Sequence, residues 1–231
     1  MRKIAVVIYG QPGAGKGTQA DLLAKEAGLI QLDIGSLIEE TIYDPKNRKN
    51  SIILEQKRRF ESGDLCEPLW VAGLIGKQIR LIAKSGLGIV LSGSLRTISE
   101  TFGNKKTKGL LQVLEEEYGK KKIIFLLLKI NSRSSVVRNS SRLVCSVCGK
   151  PVLMEYIKVK PKSCPVCGGA LRKRTLDKPA VIKERLRAFR ELTQPVLKAL
   201  RRRGYRITEI NGEPAPYIVH RNILSKLKRW L

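Results

Sequence analysis

The chain has 231 residues, 42% of them hydrophobic and 28% charged, which fits a globular protein of one domain with insertions or of two small domains. Its apolar runs all fall short of the roughly 20 residues that a helical membrane span needs, which excludes that class. Forty-five Lys and Arg against 20 Asp and Glu give a net charge of +25; the basic residues are scattered along the sequence, so we read most of the excess as solvated surface.

Residues 3–9 form a short apolar run, the pattern of a buried parallel strand. The chain enters this strand at once, so we expect no export signal and a cytoplasmic location. Gly10, Gly13 and Gly15 then permit a tight turn that brings backbone N–H groups close to a ligand. Residues 18–27 read as a helix. The whole is G-x-x-x-x-G-K between a strand and a helix, a phosphate loop whose amides and helix N-terminus cradle phosphate oxygens. Lys16, read as an exposed loop cation, reaches the β- and γ-phosphates.

A second strand is expected at 28–33 and a helix from 34 to 41. A polar break at 44–50 precedes a charged helix at 51–62, which Gly63 closes. A longer helix covers 69–83, a third strand 86–92, a helix 110–118 and a fully apolar fourth strand 123–130. Residues 179–203 read as one amphipathic helix that buries Ile182, Leu186, Phe189, Val196, Leu197 and Leu200 and kinks at Pro195. A fifth strand at 205–210 and a helix at 217–230 finish the chain. Alternating strands and helices predict an α/β fold with a parallel sheet covered on both faces. Residues 34–68 and 139–176 do not fit that sheet and read as inserts.

Cys145-x-x-Cys148 and Cys164-x-x-Cys167 are fifteen residues apart, in the knuckle-like contexts CxxCG and CPxCGG. Four thiolates so placed suit a closed, tetrahedral, structural Zn²⁺ site. The metal would fold an insert too short to build its own core. Cys66 has no partner in this pattern and reads as a core residue, and the sole His, His220, as a structural one.

GQPGAGKGTQA at 10–20 resembles the loop of the adenylate kinase family of nucleoside monophosphate kinases, and the resemblance spans nearly the whole chain. It implies a P-loop NTPase-like five-stranded sheet in the order 2-3-1-4-5. It also implies a core of 1–33, 69–138 and 177–231, a nucleoside-monophosphate insert at 34–68 and a zinc-bearing lid at 139–176. The implied reaction moves the γ-phosphoryl of ATP–Mg²⁺ to a monophosphate, AMP first. The implied ATP contacts are Gly10, Gly13, Ala14, Gly15, Lys16, Gly17 and Thr18, with Gly212 and Pro214 beside the donor base. R-N-S-S-R-L-V-C and R-T-L-D-K-P-A-V-I-K-E-R are similar to the family's lid boundaries. They place Arg138, Arg142, Arg174 and Arg185 on its phosphate-binding arginines, and Asp177 on an acid of the second boundary.

L-S-G-S-L-R-T-I-S-E at 91–100 resembles the family's L-D-G-F-P-R-T-x-x-Q, and I-G-S-L-I-E at 34–39 its T-G-D-x-x-R. Ile34, Gly35, Cys66, Gly93, Arg96 and Glu100 then fall on the acceptor site, with Arg96 holding the acceptor phosphate. The departures are specific. Ser36 and Ser92 stand where acids hold a Mg²⁺-bound water. Glu39 stands where an arginine binds the acceptor phosphate, with Lys57 and Arg58 as candidate replacements. Glu100 stands where a Gln reads adenine. An ionised carboxylate only accepts hydrogen bonds, which matches guanine N1 and N2, so GMP is the second acceptor. A nucleic-acid-binding P-loop protein with a cysteine ribbon is the alternative, prompted by thirteen Lys and Arg against three Asp and Glu at 172–206. Aromatics at 5% leave few stacking platforms, so no specific nucleic acid is expected, and a monomer is the default.

Overall fold

The computed structural model describes residues 3–152, 161–173 and 175–230. Five strands make the central parallel sheet: β1 (Ala5–Gly10), β2 (Ile30–Asp33), β3 (Ile89–Ser92), β4 (Ile123–Lys129) and, fifth in the sheet, β8 (Ile207–Asn211). Their order is β2-β3-β1-β4-β8, the order 2-3-1-4-5 that the family resemblance implies. β1 is buried along its whole length and β4 along all but Lys129, as apolar strands covered on both faces must be.

Helices α1 (Lys16–Ala27) and α10 (Pro216–Leu227) cover one face, with Leu23, Val219 and Ile223 packed on Val6, Ile8 and Leu126. On the other face lie α4 (Pro68–Lys84), α6 (Leu110–Tyr118), α8 (Pro179–Ala188) and α9 (Gln194–Arg202). There Ile75, Ile79, Leu114, Val196 and Leu200 close over Val7, Leu91 and Phe125. Each such fully buried aliphatic side chain contributes about 1.5–3 kcal/mol.

Two stretches stand outside the sheet. α2 (Ile34–Tyr43) and α3 (Ser51–Ser62) form the first, with Asn50 capping α3 and Gly63 closing it at φ 89°. The second is a small antiparallel sheet, order β6-β5-β7, of β5 (Leu143–Cys145), β6 (Pro151–Val152) and β7 (Leu171–Arg172). No helix among the described residues is long and apolar enough to cross a membrane.

Three local differences from the sequence reading have physical causes. α1 begins at Lys16, two residues earlier than expected, because the positive φ of Gly15 (84°) lets the loop turn straight into the helix. The single helix expected at 179–203 is α8 and α9 joined by a π-helical turn at Phe189–Thr193. The interruption thus precedes Pro195 by a turn, where the wider coil accommodates a residue that cannot complete the α ladder. Phe189 sits on that turn and is only half-buried, while Thr193 is buried in its stead. α5 (Ile98–Phe102) and α7 (Ser132–Ser141) have no apolar stripe and escaped periodicity altogether.

Candidate active site

The phosphate loop leaves the C-terminal end of β1. Gly10 (φ 155°) lies so close to β4 that a Cβ there would meet the Leu128 carbonyl at 2.9 Å. Gly13 (φ 79°) faces α7, where a Cβ would meet the Asn139 amide at 2.7 Å. Two buried polar residues of α7 hold that contact. The Ser135 hydroxyl donates to the Pro12 carbonyl, and Asn139 Nδ2 donates to the Ser135 carbonyl at 2.7 Å. α7 buries these instead of apolar groups, which is why its sequence carries no helical stripe.

Lys16 is the first residue of α1 and is partly buried, not the exposed loop cation of the sequence reading. Its Nζ donates to the carbonyls of Gly10 (2.7 Å) and Gln11 (3.1 Å). Burial holds its pKa well below the ordinary lysine value, and the charges of Arg96, Arg185 and Arg142 push it further down. The Asp33 carboxylate acts in the other direction. Four cations from α1, the loop after β3, the start of the cysteine unit and α8 therefore converge on one cleft of about 810 Å³. Gly15, Gly17 and Thr18 line it from the core, Ser36 and Glu40 from α2, and Gly149 and Lys150 from the cysteine unit.

Two of the arginines, Arg142 and Arg138, are braced by hydrogen bonds. The Arg142 guanidinium gives two hydrogen bonds to the buried Asp177 carboxylate, one from Nε at 2.9 Å, and a third to Asn139 Oδ1 at 2.9 Å. Arg138 donates to the carbonyls of Gly212 (2.8 Å) and Glu213 (2.7 Å), joining α7 to the loop after β8. Glu213 fixes that loop by accepting from the Asn131 backbone and side chain at 2.6 and 2.8 Å. Ala14, Gly212 and Pro214 line the cleft beside it. Arg174 lies outside the described residues.

Across the cleft, Gly93 (φ 87°) lets the Arg96 guanidinium lie against the backbone, since a Cβ there would meet Arg96 at 2.8 Å. Glu100 is buried, and both carboxylate oxygens are engaged: Oε1 accepts from Leu95 N at 2.6 Å and Oε2 from Arg96 N at 3.0 Å. Leu95 needs that support, because it has the one positive φ (55°) among the described non-glycine residues. Burial raises the Glu100 pKa, while the Arg96 and Leu95 amides oppose the rise. Ile34, Gly35 and Cys66 line the same cleft, Cys66 as a core residue whose thiol burial pushes up to about 11.

The four cysteines of the two knuckles meet. All four Sγ atoms lie within 4.8 Å of one another, with Cys145–Cys167 at 3.4 Å and Cys148–Cys164 at 3.8 Å. A tetrahedral Zn–S₄ centre with bonds of about 2.3 Å requires S···S separations of about 3.8 Å. Gly149 (φ 67°) and Gly168 (φ 73°) turn the chain after each pair and donate back to the Cys145 and Cys164 carbonyls. Amides of Cys148 and Val147 point at the Cys145 sulfur and pull its thiol down to about 6.

A family model described as an AAA domain matches residues 9–138, more than half of the chain. Adenylate kinase of Clostridium botulinum is 27% identical over 226 residues, 97% of this chain and 98% of that enzyme. Adenylate kinase of Pyrococcus abyssi is 27% identical over 86% of this chain and 84% of its own length. That of Kosmotoga olearia is 30% identical over 206 residues, 88% of this chain and 89% of its own. The chain belongs to that AAA-domain family and, more narrowly, to the adenylate kinase family.

Set beside the adenylate kinase pattern, the acceptor side shows how this chain departs from it. Glu39 is half-buried and is not among the residues lining the cleft. Lys57 lies over the Tyr43 ring at 4.8 Å and Arg58 pairs with Glu55, so neither candidate replacement lines it either. The missing acids have a neighbour that spacing did not reveal. Asp33, at the end of β2, is in register with Ser92 on β3 and lines the cleft. Its Oδ1 caps α2 by accepting from Gly35 N at 3.0 Å, and the described residues offer its other oxygen no hydrogen bond.

Proposed function

We propose that this protein is an ATP:AMP phosphotransferase. The observation that carries the proposal is the convergence of Lys16, Arg96, Arg142 and Arg185 on one cleft that also holds the phosphate loop. Four cations gathered around a phosphate loop suit a ligand with several phosphates. Family membership makes that ligand a nucleoside triphosphate with a monophosphate acceptor.

ATP would lie with its phosphates in the 10–18 loop and its base near Gly212 and Pro214. AMP would lie between α2 and Arg96, against Ile34, Gly35, Cys66 and Gly93. An oxygen of the AMP phosphate attacks the γ-phosphorus, the bond to the β–γ bridging oxygen breaks, and two ADP leave. Positioning and charge neutralisation carry such a transfer, without a general base. Lys16 with Arg142, Arg185 and, by family correspondence, Arg174 would stabilise the moving phosphoryl, while Arg138 fixes the donor loop. The cysteine unit and the α2–α3 insert line the cleft from opposite sides and would exclude water as a lid and its counterpart.

The residues present fit Mg²⁺, a hard ion content with one carboxylate, hydroxyls, waters and substrate phosphates. Asp33 would supply the carboxylate that Ser36 and Ser92 lack, beside Thr18. Bound there, Mg²⁺ would neutralise charge on the β- and γ-phosphates. The sulfur geometry fits Zn²⁺, which would fold the lid and take no part in the reaction. Glu100 is buried and turns both oxygens onto the Leu95 and Arg96 amides, which removes the argument for GMP drawn from its position and leaves AMP, the acceptor that the family resemblance favours. We place the enzyme in the cytoplasm, where its substrates are. A coupled assay of diphosphate formation with AMP, GMP, CMP and UMP tests the reading. AMP should give the highest kcat/KM, and a higher value for any of the others would displace it.

A further inference from the structure

The charge excess is not spread as evenly in space as in sequence. Three basic runs, far apart along the chain, meet at one pole of the sheet. Lys120–Lys122 lead into β4 and Arg206 into β8, and these neighbouring strands run parallel with Phe125 opposite Ile207. Lys120 Nζ donates to the Arg203 carbonyl at 3.1 Å, which ties residues 120–122 to 201–206. The Arg203 guanidinium lies 4.2 Å from the Phe102 ring centre, which brings in the turn carrying Lys105 and Lys106. All of these basic side chains are exposed. Among the described residues, Lys108 pairs with Glu116 and Arg201 with Glu209. Among the described residues, Lys105, Lys106, the 120–122 lysines, Arg202, Arg203 and Arg206 form no ion pair, and the nearby Glu115 is engaged by the Tyr205 hydroxyl.

This pole is the end where the strands begin. The phosphate loop lies where β1 ends, about 20 Å away along a strand of β4's length. A ligand at the pole therefore leaves the active-site cleft open. The patch offers charge and little else. Tyr205 is buried with Lys120 over its ring, and Phe102 is covered by Arg203, so no aromatic face is presented to a base. Neither 103–108, 119–122 nor 201–206 exposes an apolar side chain that would anchor in a bilayer.

We propose that this pole is a second binding surface, for the phosphate backbone of double-stranded nucleic acid, read without regard to sequence. Lysines and arginines gathered well in excess of the neighbouring acids release condensed cations from such a backbone, which makes the binding steeply salt-dependent. Bases in a duplex are stacked already and need no aromatic platform, unlike those of a single strand.

The test is fluorescence anisotropy with a 20-base-pair RNA duplex between 50 and 200 mM KCl. One variant is K105Q/K106Q/K120Q/K121Q/K122Q. A charge-matched control carries K46Q/K49Q/K183Q/K226Q/K228Q, all exposed lysines outside the patch. The patch variant should keep wild-type kinase turnover, which shows that it folds. Its binding at 50 mM should weaken at least tenfold, and its slope of log affinity against log salt should shrink by up to about 4.5, at about 0.9 per phosphate contact. The control should bind within about threefold of wild type. Equal losses in both variants would overturn the proposal, as would a wild type that fails to bind the duplex at 50 mM. Tighter binding to phosphatidylserine vesicles through the same five lysines would assign the pole to a membrane surface instead.

Discussion

In Glu100→Gln, an amide N–H₂ takes the place of one carboxylate oxygen and faces a backbone N–H that needs an acceptor. The side chain can still accept from Leu95 or from Arg96, but not from both as the carboxylate does at 2.6 and 3.0 Å. The site is buried, so water does not rescue the orphaned amide, and the cost is about 1–3 kcal/mol. For a chain of this size that lowers the melting temperature by about 2–4 °C per kcal/mol. Leu95 at φ 55° loses part of its support, and Arg96, one residue on, shifts with it. The KM for AMP should therefore rise. Thermal unfolding and the ratio of kcat/KM for AMP to that for GMP are the two readouts. Melting should fall, and the ratio should stay within about threefold, because the side chain supports the loop and does not touch the base. Unchanged melting with a tenfold or greater swing towards AMP would show instead that Glu100 reads the base edge, and would refute this reasoning.

Asp33→Asn keeps the oxygen that caps α2 but removes the charge, so the fold should stand while Mg²⁺ loses its carboxylate. Titration of a fluorescent ATP analogue should show the Mg²⁺-dependent gain in affinity cut roughly tenfold, with metal-free binding unaffected and Ser92→Asp restoring the gain. An unaltered Mg²⁺ dependence would remove Asp33 from the site. The protein should hold one Zn²⁺ per chain through Cys145, Cys148, Cys164 and Cys167, and chelation should lower its melting temperature while the central sheet survives. Metal analysis finding none, with all four thiols reactive in the native state, would contradict that.

What could be read from the sequence was local. The phosphate loop, the two cysteine knuckles and the apolar strands each declare themselves within a dozen residues; alternation gave the parallel sheet, and its strand order followed from the family resemblance alone. What could not be read depends on distant partners. Asp33 gains its meaning from standing in register with Ser92 on another strand. Ser135 and Asn139 support the phosphate loop from a helix that buries polar groups, which hydrophobic periodicity is blind to. Glu100 looked like a base reader by position, and its engagement with the Leu95 and Arg96 amides became visible only with the turn formed. The basic pole is assembled from three segments whose charges look scattered when read in order.

The central claim is phosphoryl transfer from ATP to AMP with Lys16 at the moving group. Wild type and Lys16→Ala, each incubated with ATP, AMP and Mg²⁺, can be compared by quantifying ATP, ADP and free phosphate over time. Wild type should form two ADP for each ATP consumed, release little phosphate and consume little ATP without AMP. Lys16→Ala should be slower by roughly 10²–10³-fold, the scale of losing one preorganised group at the developing charge. ATP consumed equally fast without AMP, yielding ADP and phosphate, or Lys16→Ala turning over like wild type, would contradict the account.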